Sequence, residues 1–194
     1  MELDQKDLNY LKLLAKDYPT IRSVTTALVN LMARLNLPKG TEHFISDIHG
    51  EYDSFQHVLK NGSGSIERRI DEIFTILSEE EKRSLITLIC YPEQRMSLTL
   101  PKVNDRAAWY RMTILRLIQL VQNISAKYTR ADVSAFLPDD FGEIIQDLIY
   151  QRQDNTAQRD YHQSLLDTII HTDAARDVIV ALAELIQTLA VSHL

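Results

Sequence analysis

The sequence predicts a mainly α-helical fold, a multi-helix bundle with one short β-strand. Glycine and proline are both scarce, at five each in 194 residues, so few residues interrupt helices. Most windows carry apolar residues three and four apart, which is the spacing of one helix face. Only one stretch, residues 41–50, has the β-branched and aromatic content of a buried strand, in Phe44, Ile45 and Ile48.

The first two predicted helices lead the chain to this strand. They cover residues 4–16 and 20–37, and a proline follows each of them closely, which ends a helix. After Gly50, a third helix runs to Asn61-Gly-Ser-Gly, whose glycines supply the left-handed conformations of a cap and turn. The alternative for this tetrapeptide is a phosphate-cradling loop, but its spacing matches neither a P-loop nor a dinucleotide-binding fingerprint.

The rest of the chain reads as helices joined by short connections. Ser78 and Glu81 have the spacing of a capping box. Residues 105–127 are apolar on almost two faces, which is typical of a helix at the centre of a bundle. Residues 92–102 show no clear period and are predicted to be a loop, and residues 151–160 a polar linker. The remaining helical patterns cover residues 66–77, 78–90, 131–136 (a short helix or turn), 139–152, 161–170 and 178–189.

Asp47 and His49 are the candidate metal ligands. On extended backbone, residues two apart point to the same side of a strand, and Gly50 lets the chain turn or a ligand approach the backbone. A carboxylate oxygen and an imidazole nitrogen suit a divalent ion such as Mn²⁺, Fe²⁺ or Zn²⁺. The residues alone leave a second interpretation open, in which Asp47 caps a turn and His49 packs beside it, because two ligands do not make a site.

The other histidines have no partner at ligand spacing. We interpret them as surface residues or as residues satisfied by hydrogen bonds. They are His43, His57, His162, His171 and His193.

Bulk properties exclude several classes of protein. A net charge of −6 and a pI near 5.5 argue against a nucleic-acid-binding surface. Cys90 is the only cysteine, so an internal disulfide and a cysteine-based zinc site are excluded. The polar N-terminus lacks the apolar run of a signal peptide, and the longest apolar stretch, residues 178–191, is shorter than the roughly 20 residues of a membrane span. We expect a cytoplasmic protein with neither a nucleic-acid nor a membrane partner.

Three stretches of sequence are distinctive when taken together: Leu37-Pro-Lys-Gly-Thr-Glu-His-Phe-Ile-Ser-Asp-Ile-His-Gly-Glu-Tyr, Phe55-Gln-His-Val-Leu-Lys-Asn-Gly-Ser-Gly and Lys127-Tyr-Thr-Arg. They resemble the N-terminal part of the class III bacterial fructose-1,6-bisphosphatases. These are metal-dependent enzymes with a calcineurin-like metallophosphoesterase core, in which the predicted strand would belong to the α/β sheet. The resemblance covers essentially the whole chain.

The resemblance implies roles for Asp47 and His49 and also implies what is missing. In that family the two residues bind one ion of a two-metal site, for which we expect Mn²⁺. The family's Gly-Asp-x-x-Asp-Arg-Gly and Gly-Asn-His-Asp/Glu loops have no counterpart here, since no glycine precedes an aspartate and no asparagine precedes a histidine. We therefore assign no catalytic residue within this chain and expect it to be inactive alone.

The resemblance also implies a domain division. Residues 1–62 would supply the N-terminal helices, the first core strand and the helix after it. Residues 63–194 would form a helical cap or insertion of the full enzyme.

Two functions are consistent with the sequence. The first is the N-terminal segment of a fructose-bisphosphatase, which acts on a sugar bisphosphate together with the remainder of the catalytic domain. The second is a non-catalytic α-helical interaction module that retains the Asp-x-His-Gly strand as a relic. An unpaired strand at residues 43–46 would expose an edge and an apolar face, so we also expect self-association into a homo-oligomer.

Overall fold

The computed structural model describes residues 4–150 and 155–192, and this part of the chain is mainly helical, as predicted. It also contains two short 3-10 turns, Leu100–Lys102 and Ser125–Lys127. The α-helices are α1 (Gln5–Asp17), α2 (Ile21–Arg34), α3 (Tyr52–Lys60), α4 (Ser65–Ile73), α5 (Glu79–Cys90), α6 (Pro92–Thr99), α7 (Arg106–Ile124), α8 (Arg130–Ala135), α9 (Gly142–Ile149), α10 (Thr156–His171) and α11 (Ala175–Ala190).

The predicted β-strand is not formed. Residues 43–48 have no regular secondary structure, and Glu42 makes only an isolated bridge. The physical reason is the lack of a partner, because a strand needs neighbouring strands to satisfy its backbone groups and to be stable in water. Among the described residues there is thus no sheet to represent the α/β core that the resemblance implies.

Two connections also differ from the sequence prediction. The predicted loop at 92–102 is wrong, since Pro92 opens α6 at the first helical position, where proline is favoured. Met96 is the only fully buried residue of α6, so no periodic pattern marked this helix. The predicted linker at 151–160 overlaps α10, which begins at Thr156, while residues 151–154 lie outside the described part of the chain.

The chain divides into two units, Met1–Pro38 and Lys39–Leu194. The first unit contains α1 and α2, each with a side-chain cap at its N-terminus, from Asp4 and Thr20 respectively. Neither helix buries a residue. The two helices line a shared apolar groove, and the residues along it are Leu11, Leu14, Ala15, Tyr18, Val24, Ala27, Leu28 and Leu31.

The second unit has a well-packed core, which lies in the helical body formed by α4 to α11. Helices α7 and α11 pack along each other and form its centre, which confirms the prediction for residues 105–127. Ile114 of α7 and Leu182 of α11 are fully buried. Helices α4, α5, α6 and α10 pack on α11, while α9 packs on α7. Burial of these aliphatic side chains supplies the hydrophobic free energy that holds the helical body together.

Local sequence signals for helix ends are confirmed in this unit. The Ser78 hydroxyl accepts a hydrogen bond from the Glu81 backbone N–H, and the Glu81 carboxylate accepts one from the Ser78 backbone N–H, which is the predicted capping box. Asn61-Gly-Ser-Gly forms the predicted turn after α3. Gly62 and Gly64 have φ values of 57° and 81° there, a region that glycine enters without steric cost.

Candidate functional site

The segment that carries Asp47 and His49 is anchored to the helical body just before it begins. The Ser192 backbone N–H donates to the Thr41 carbonyl at 2.8 Å, and the Thr41 N–H donates to the Ser192 hydroxyl oxygen at 3.1 Å. Gly40 permits this approach, since a Cβ at that position would lie 2.8 Å from Ser192 Cβ. The segment after Thr41 therefore starts from a fixed point on the helical body, next to the C-terminal end of α11.

Lys127 and Tyr128 reinforce this anchor from a third element. Lys127 Nζ donates to Thr41 Oγ1 at 2.9 Å and to the Ala190 carbonyl at 3.4 Å. The Tyr128 hydroxyl donates to the Leu189 carbonyl at 3.0 Å. Partial burial lowers the pKa of Lys127, and the nearby charges of Arg69 and Arg68 add to this effect. We call Thr41, Lys127, Tyr128 and Ser192 the anchor cluster.

The anchor cluster gives a structural meaning to part of the Lys127-Tyr-Thr-Arg stretch. Two of its residues satisfy carbonyls in the last turn of α11, which have no partner within the helix. Lys127 also donates to Thr41, which lies 86 residues earlier in the chain. In the sequence, this stretch is distinctive only through its family resemblance, because no local pattern indicates so distant a contact.

Helix α3 is tied to the body at its C-terminal end. His57 Nδ1 lies 2.9 Å from the Tyr91 hydroxyl oxygen, and Lys60 Nζ lies 4.9 Å from the centre of the Tyr91 ring. Gly62 follows in the turn, where a Cβ would meet Ala190 Cβ at 3.2 Å. The motif segment, which we define as residues 43–58, is thus fixed at both ends and spans between two attachments.

Asp47 and His49 lie in the exposed middle of the motif segment. Both have positive φ values, 55° and 52°, in the left-handed region that aspartate and histidine tolerate better than most residues. The alternating geometry of a strand, on which the same-side argument rested, is therefore not present here. Among the described residues, the only hydrogen bond of either side chain is a long one of 3.4 Å from Ser46 Oγ to Asp47 Oδ2.

Both residues nevertheless line one depression on the surface. It has a volume of about 290 Å³. The residues that line it include the apolar Ile45, Phe55 and Val58 together with Asp47 and His49. A carboxylate and an imidazole beside an apolar surface are available to a ligand, since neither side chain is buried or paired with a cation in the described residues.

The donor set is incomplete for a metal ion. Divalent transition metals take four to six ligands in proteins. Within residues 4–150 and 155–192, no group of three or more His, Cys, Asp or Glu side chains is arranged to hold a metal. Asp47 and His49 have donor atoms that suit a divalent metal, but a complete site needs further ligands from outside this pair.

The remaining candidates serve structural roles or lie outside the described part. His171 Nδ1 contacts the Asp167 carbonyl within its own helix at 2.6 Å, as expected for a satisfied surface residue. His162 is buried rather than exposed, and it stacks edge-on against Tyr161. Cys90 is buried too, which raises the pKa of its thiol to about 11 and keeps it protonated at neutral pH. His193 lies outside the described residues.

Comparison of the sequence with known proteins identifies the family of this chain. The sequence profile of the Firmicute fructose-1,6-bisphosphatases matches residues 9–194. The chain belongs to this family. The matched residues include the motif segment and the anchor cluster.

Curated relatives are named fructose-1,6-bisphosphatase class 3 and are much longer than this chain. A fructose-1,6-bisphosphatase class 3 from Clostridium beijerinckii is 49% identical over 189 residues, which are 97% of this chain and 29% of that protein. A fructose-1,6-bisphosphatase class 3 from Clostridium botulinum (strain Loch Maree) is 48% identical over 195 positions, covering 100% of this chain and 29% of the relative. The chain thus spans less than a third of the length of these relatives. No solved structure matches it.

None of the described helices is both long enough and apolar enough to span a membrane.

Proposed function

We propose that this chain is the N-terminal segment of a metal-dependent phosphatase that hydrolyses the C1 phosphate of fructose 1,6-bisphosphate, giving fructose 6-phosphate and phosphate, a reaction of gluconeogenesis. The observation that carries the proposal is the family match over residues 9–194, together with relatives at 48–49% identity that are named fructose-1,6-bisphosphatase class 3. The chain spans 29% of those relatives, so the activity belongs to the longer protein.

Asp47 and His49 are the residues that we propose as metal ligands. Their donor atoms suit Mn²⁺, and the two side chains line one depression without a competing cation. When bound, a pair of divalent ions neutralises charge on phosphate oxygens and makes water a better nucleophile at neutral pH. Within this chain, Asp47 and His49 would hold one ion. Gly50 has a φ of 73°, and a Cβ there would meet no atom within 4 Å, so a ligand has room beside the backbone.

The structure also supports the proposal that residues 43–49 of the motif segment become a strand in the complete protein. Ile45 is half-buried and Phe44 fully accessible, so the segment has apolar side chains available for a sheet partner. Neighbouring strands supplied by the rest of the protein would satisfy its backbone groups. Extended backbone would then bring Asp47 and His49 to the same side, as the sequence predicts.

The activity is tested by measuring phosphate release from fructose 1,6-bisphosphate with added Mn²⁺. We expect release by the full-length protein and none above background by the 194-residue chain. Asp47→Asn and His49→Gln in the full-length protein should each lower kcat by about a hundredfold or more, because a metal site rarely keeps its ion after losing a ligand. Asp140→Asn and His171→Gln are matched controls, exposed residues of the same types outside the depression, and should leave kcat unchanged.

Robust phosphate release by the 194-residue chain would contradict the proposal that it is one part of a larger site. Full activity of both full-length variants would contradict the assignment of Asp47 and His49.

The alternative function is a non-catalytic α-helical interaction module. The observation that favours it is the uncovered apolar groove of α1 and α2, a kind of surface that binds partner helices. Light scattering of the 194-residue chain tests the related expectation of a homo-oligomer. A Phe44→Ser variant that abolishes self-association would assign the contact to the motif segment, whereas a Leu28→Ser variant that does so would assign it to the groove.

A further inference from the structure

A second cavity lies in the helical body, away from the motif segment. It is lined by residues of α5, α6 and α7 and has a volume of about 210 Å³. None of its lining residues lines the depression beside Asp47 and His49. Its volume is enough for a small anion with a few ordered waters, and its walls combine apolar side chains with an unusual set of hydrogen-bond donors.

Arg95 is the central donor of this cavity. Its Nη2 donates to Ser84 Oγ at 3.0 Å, but its Nε is buried and has no hydrogen-bond partner. No carboxylate pairs with this guanidinium within the described part of the chain. A buried donor without an acceptor is unfavourable, and more so when the group is charged, so native proteins seldom retain one without a ligand, ion or water to accept its proton.

Two further donors line the same cavity. Thr113 is only 6% exposed, and its hydroxyl makes no hydrogen bond among residues 4–150 and 155–192. Trp109 is half-buried at the wall, and its indole N–H, which can only donate, also has no acceptor in the described chain. Arg95 Nε is thus buried without an acceptor, whereas the Thr113 hydroxyl and the Trp109 indole N–H are open to water, and an oxygen-rich anion in the cavity would take the place of that water.

The charge balance of the cavity permits an anion. Glu81 is the only acidic residue at its wall, and its carboxylate is already engaged by the Ser78 backbone and hydroxyl and by Arg116 at 3.3 Å. Glu81 and Arg116 neutralise each other. Arg95 is then left with an uncompensated positive charge, which favours an anion over a neutral ligand of equal size.

From these contacts we propose that the cavity between α5, α6 and α7 binds a small oxyanion, of the size of a phosphate or a carboxylate group, against Arg95, Thr113 and Trp109. Guanidinium groups recognise both kinds of anion through short, charge-assisted hydrogen bonds. The ligand would be either inorganic phosphate or a metabolite that carries one such group. The proposal does not depend on the phosphatase activity, because its residues are separate from the motif segment.

Trp109 is the only tryptophan of the chain, so its fluorescence reports on this cavity directly. The experiment titrates the 194-residue chain with inorganic phosphate, and in a second series with acetate, while sodium chloride keeps the ionic strength constant. We expect a saturable change in emission. Saturation with phosphate alone would indicate a phosphate-bearing ligand, and saturation with acetate alone a carboxylate.

Variants separate specific binding from a general salt effect. Arg95→Gln should raise the dissociation constant by about tenfold or more, because it removes the charge-assisted hydrogen bonds. Thr113→Val, which keeps the shape but removes the hydroxyl, should raise it by roughly threefold to tenfold. Arg83→Gln is the matched control, an exposed arginine of α5 outside the cavity, and should bind like the parent protein.

Circular dichroism checks that each variant is folded, and Thr113→Val decides the question if Arg95→Gln does not fold. A linear response that chloride reproduces would overturn the proposal and would leave ordered water as the acceptor of these donors. Equal affinity of the parent, the arginine variant and the threonine variant would overturn it as well.

Discussion

The helical body and the motif segment belong to one unit of the chain, yet their side chains meet very different surroundings. Ile114 and Leu182 of the body have no exposed surface, whereas Phe44 of the motif segment is 93% exposed. The body buries its apolar side chains against its own helices. The motif segment is fixed only at its two ends, by the anchor cluster and by the contact of His57 with Tyr91. The difference teaches that this chain completes its helical body, whereas the middle of the motif segment stays exposed.

The largest expected effect comes from truncating the same residue type in the two regions. Phe74 packs in the core of the body and is 8% exposed. Phe74→Ala should lower the free energy of unfolding by about 3–5 kcal/mol, since it removes buried surface and leaves a cavity. Phe44→Ala should change it by less than about 0.5 kcal/mol. Urea unfolding of the 194-residue chain, followed by circular dichroism, measures both values, and equal losses would break the comparison.

A middle-sized effect is expected at the junction of the two regions. Gly40→Ala would place a methyl group 2.8 Å from Ser192 Cβ and Oγ, which displaces the anchor. We expect a loss of about 1–3 kcal/mol, the usual cost of overpacking. Gly142→Ala is the control, because that glycine lies in the first turn of α9 and its new methyl group would lie 3.4 Å from Leu137 Cβ, close to ordinary contact.

The control variant should be neutral or slightly stabilising, since alanine favours a helix over glycine. Urea midpoints of the two variants provide the test. An unchanged midpoint for Gly40→Ala would mean that the Thr41–Ser192 pair does not hold the motif segment to the body.

The smallest effect is a pH dependence at the surface of the body. Hydrogen bonds from the Ser78 backbone and hydroxyl lower the pKa of Glu81, and Arg116 lowers it further. Because the pKa is lower in the folded state, the stabilisation is present above the unfolded value of about 4.5 and is lost as the pH falls through the folded value. The urea midpoint of the parent should therefore decline on acidification below about pH 4.5 more steeply than that of Glu81→Gln.

Glu80→Gln is the control for that pH series. Glu80 lies in the same first turn of α5 and is exposed, and its side chain makes no hydrogen bond or ion pair within the described part of the chain. Its slope should match that of the parent. Parallel slopes for the parent and Glu81→Gln would show that the capping box does not contribute through its charge.

Local patterns explain which parts of the fold could be predicted from the sequence. Helices α7 and α11 have sustained apolar periodicity, and the capping box of α5 is a short-range signal, so all three were predicted correctly. Helix α6 was missed because Met96 is its only buried residue. The strand was predicted from its β-branched residues, but a strand also needs hydrogen-bonded neighbours, and the described chain supplies none.

The metal-binding role of Asp47 and His49 stays a prediction, whereas their strand geometry was predicted incorrectly. The types and spacing of Asp47 and His49 indicate metal ligands, but their left-handed backbone in this chain could not be read from residue types. The anchor cluster joins Thr41 to Lys127 and Ser192, which are far apart in sequence. The burial of His162 depends on tertiary packing as well, because its helix neighbours are largely polar.

Amide hydrogen exchange tests the central claim most directly, by comparing the 194-residue chain with the full-length protein in the presence of Mn²⁺. We expect α7 and α11 to be strongly protected in both proteins, because their core is complete. We expect the amides of residues 43–50 to exchange almost freely in the 194-residue chain and to become protected by at least a hundredfold in the full-length protein, as their backbone joins a sheet. Equal protection of residues 43–50 in the two proteins would contradict the claim that the rest of the protein completes the metal motif.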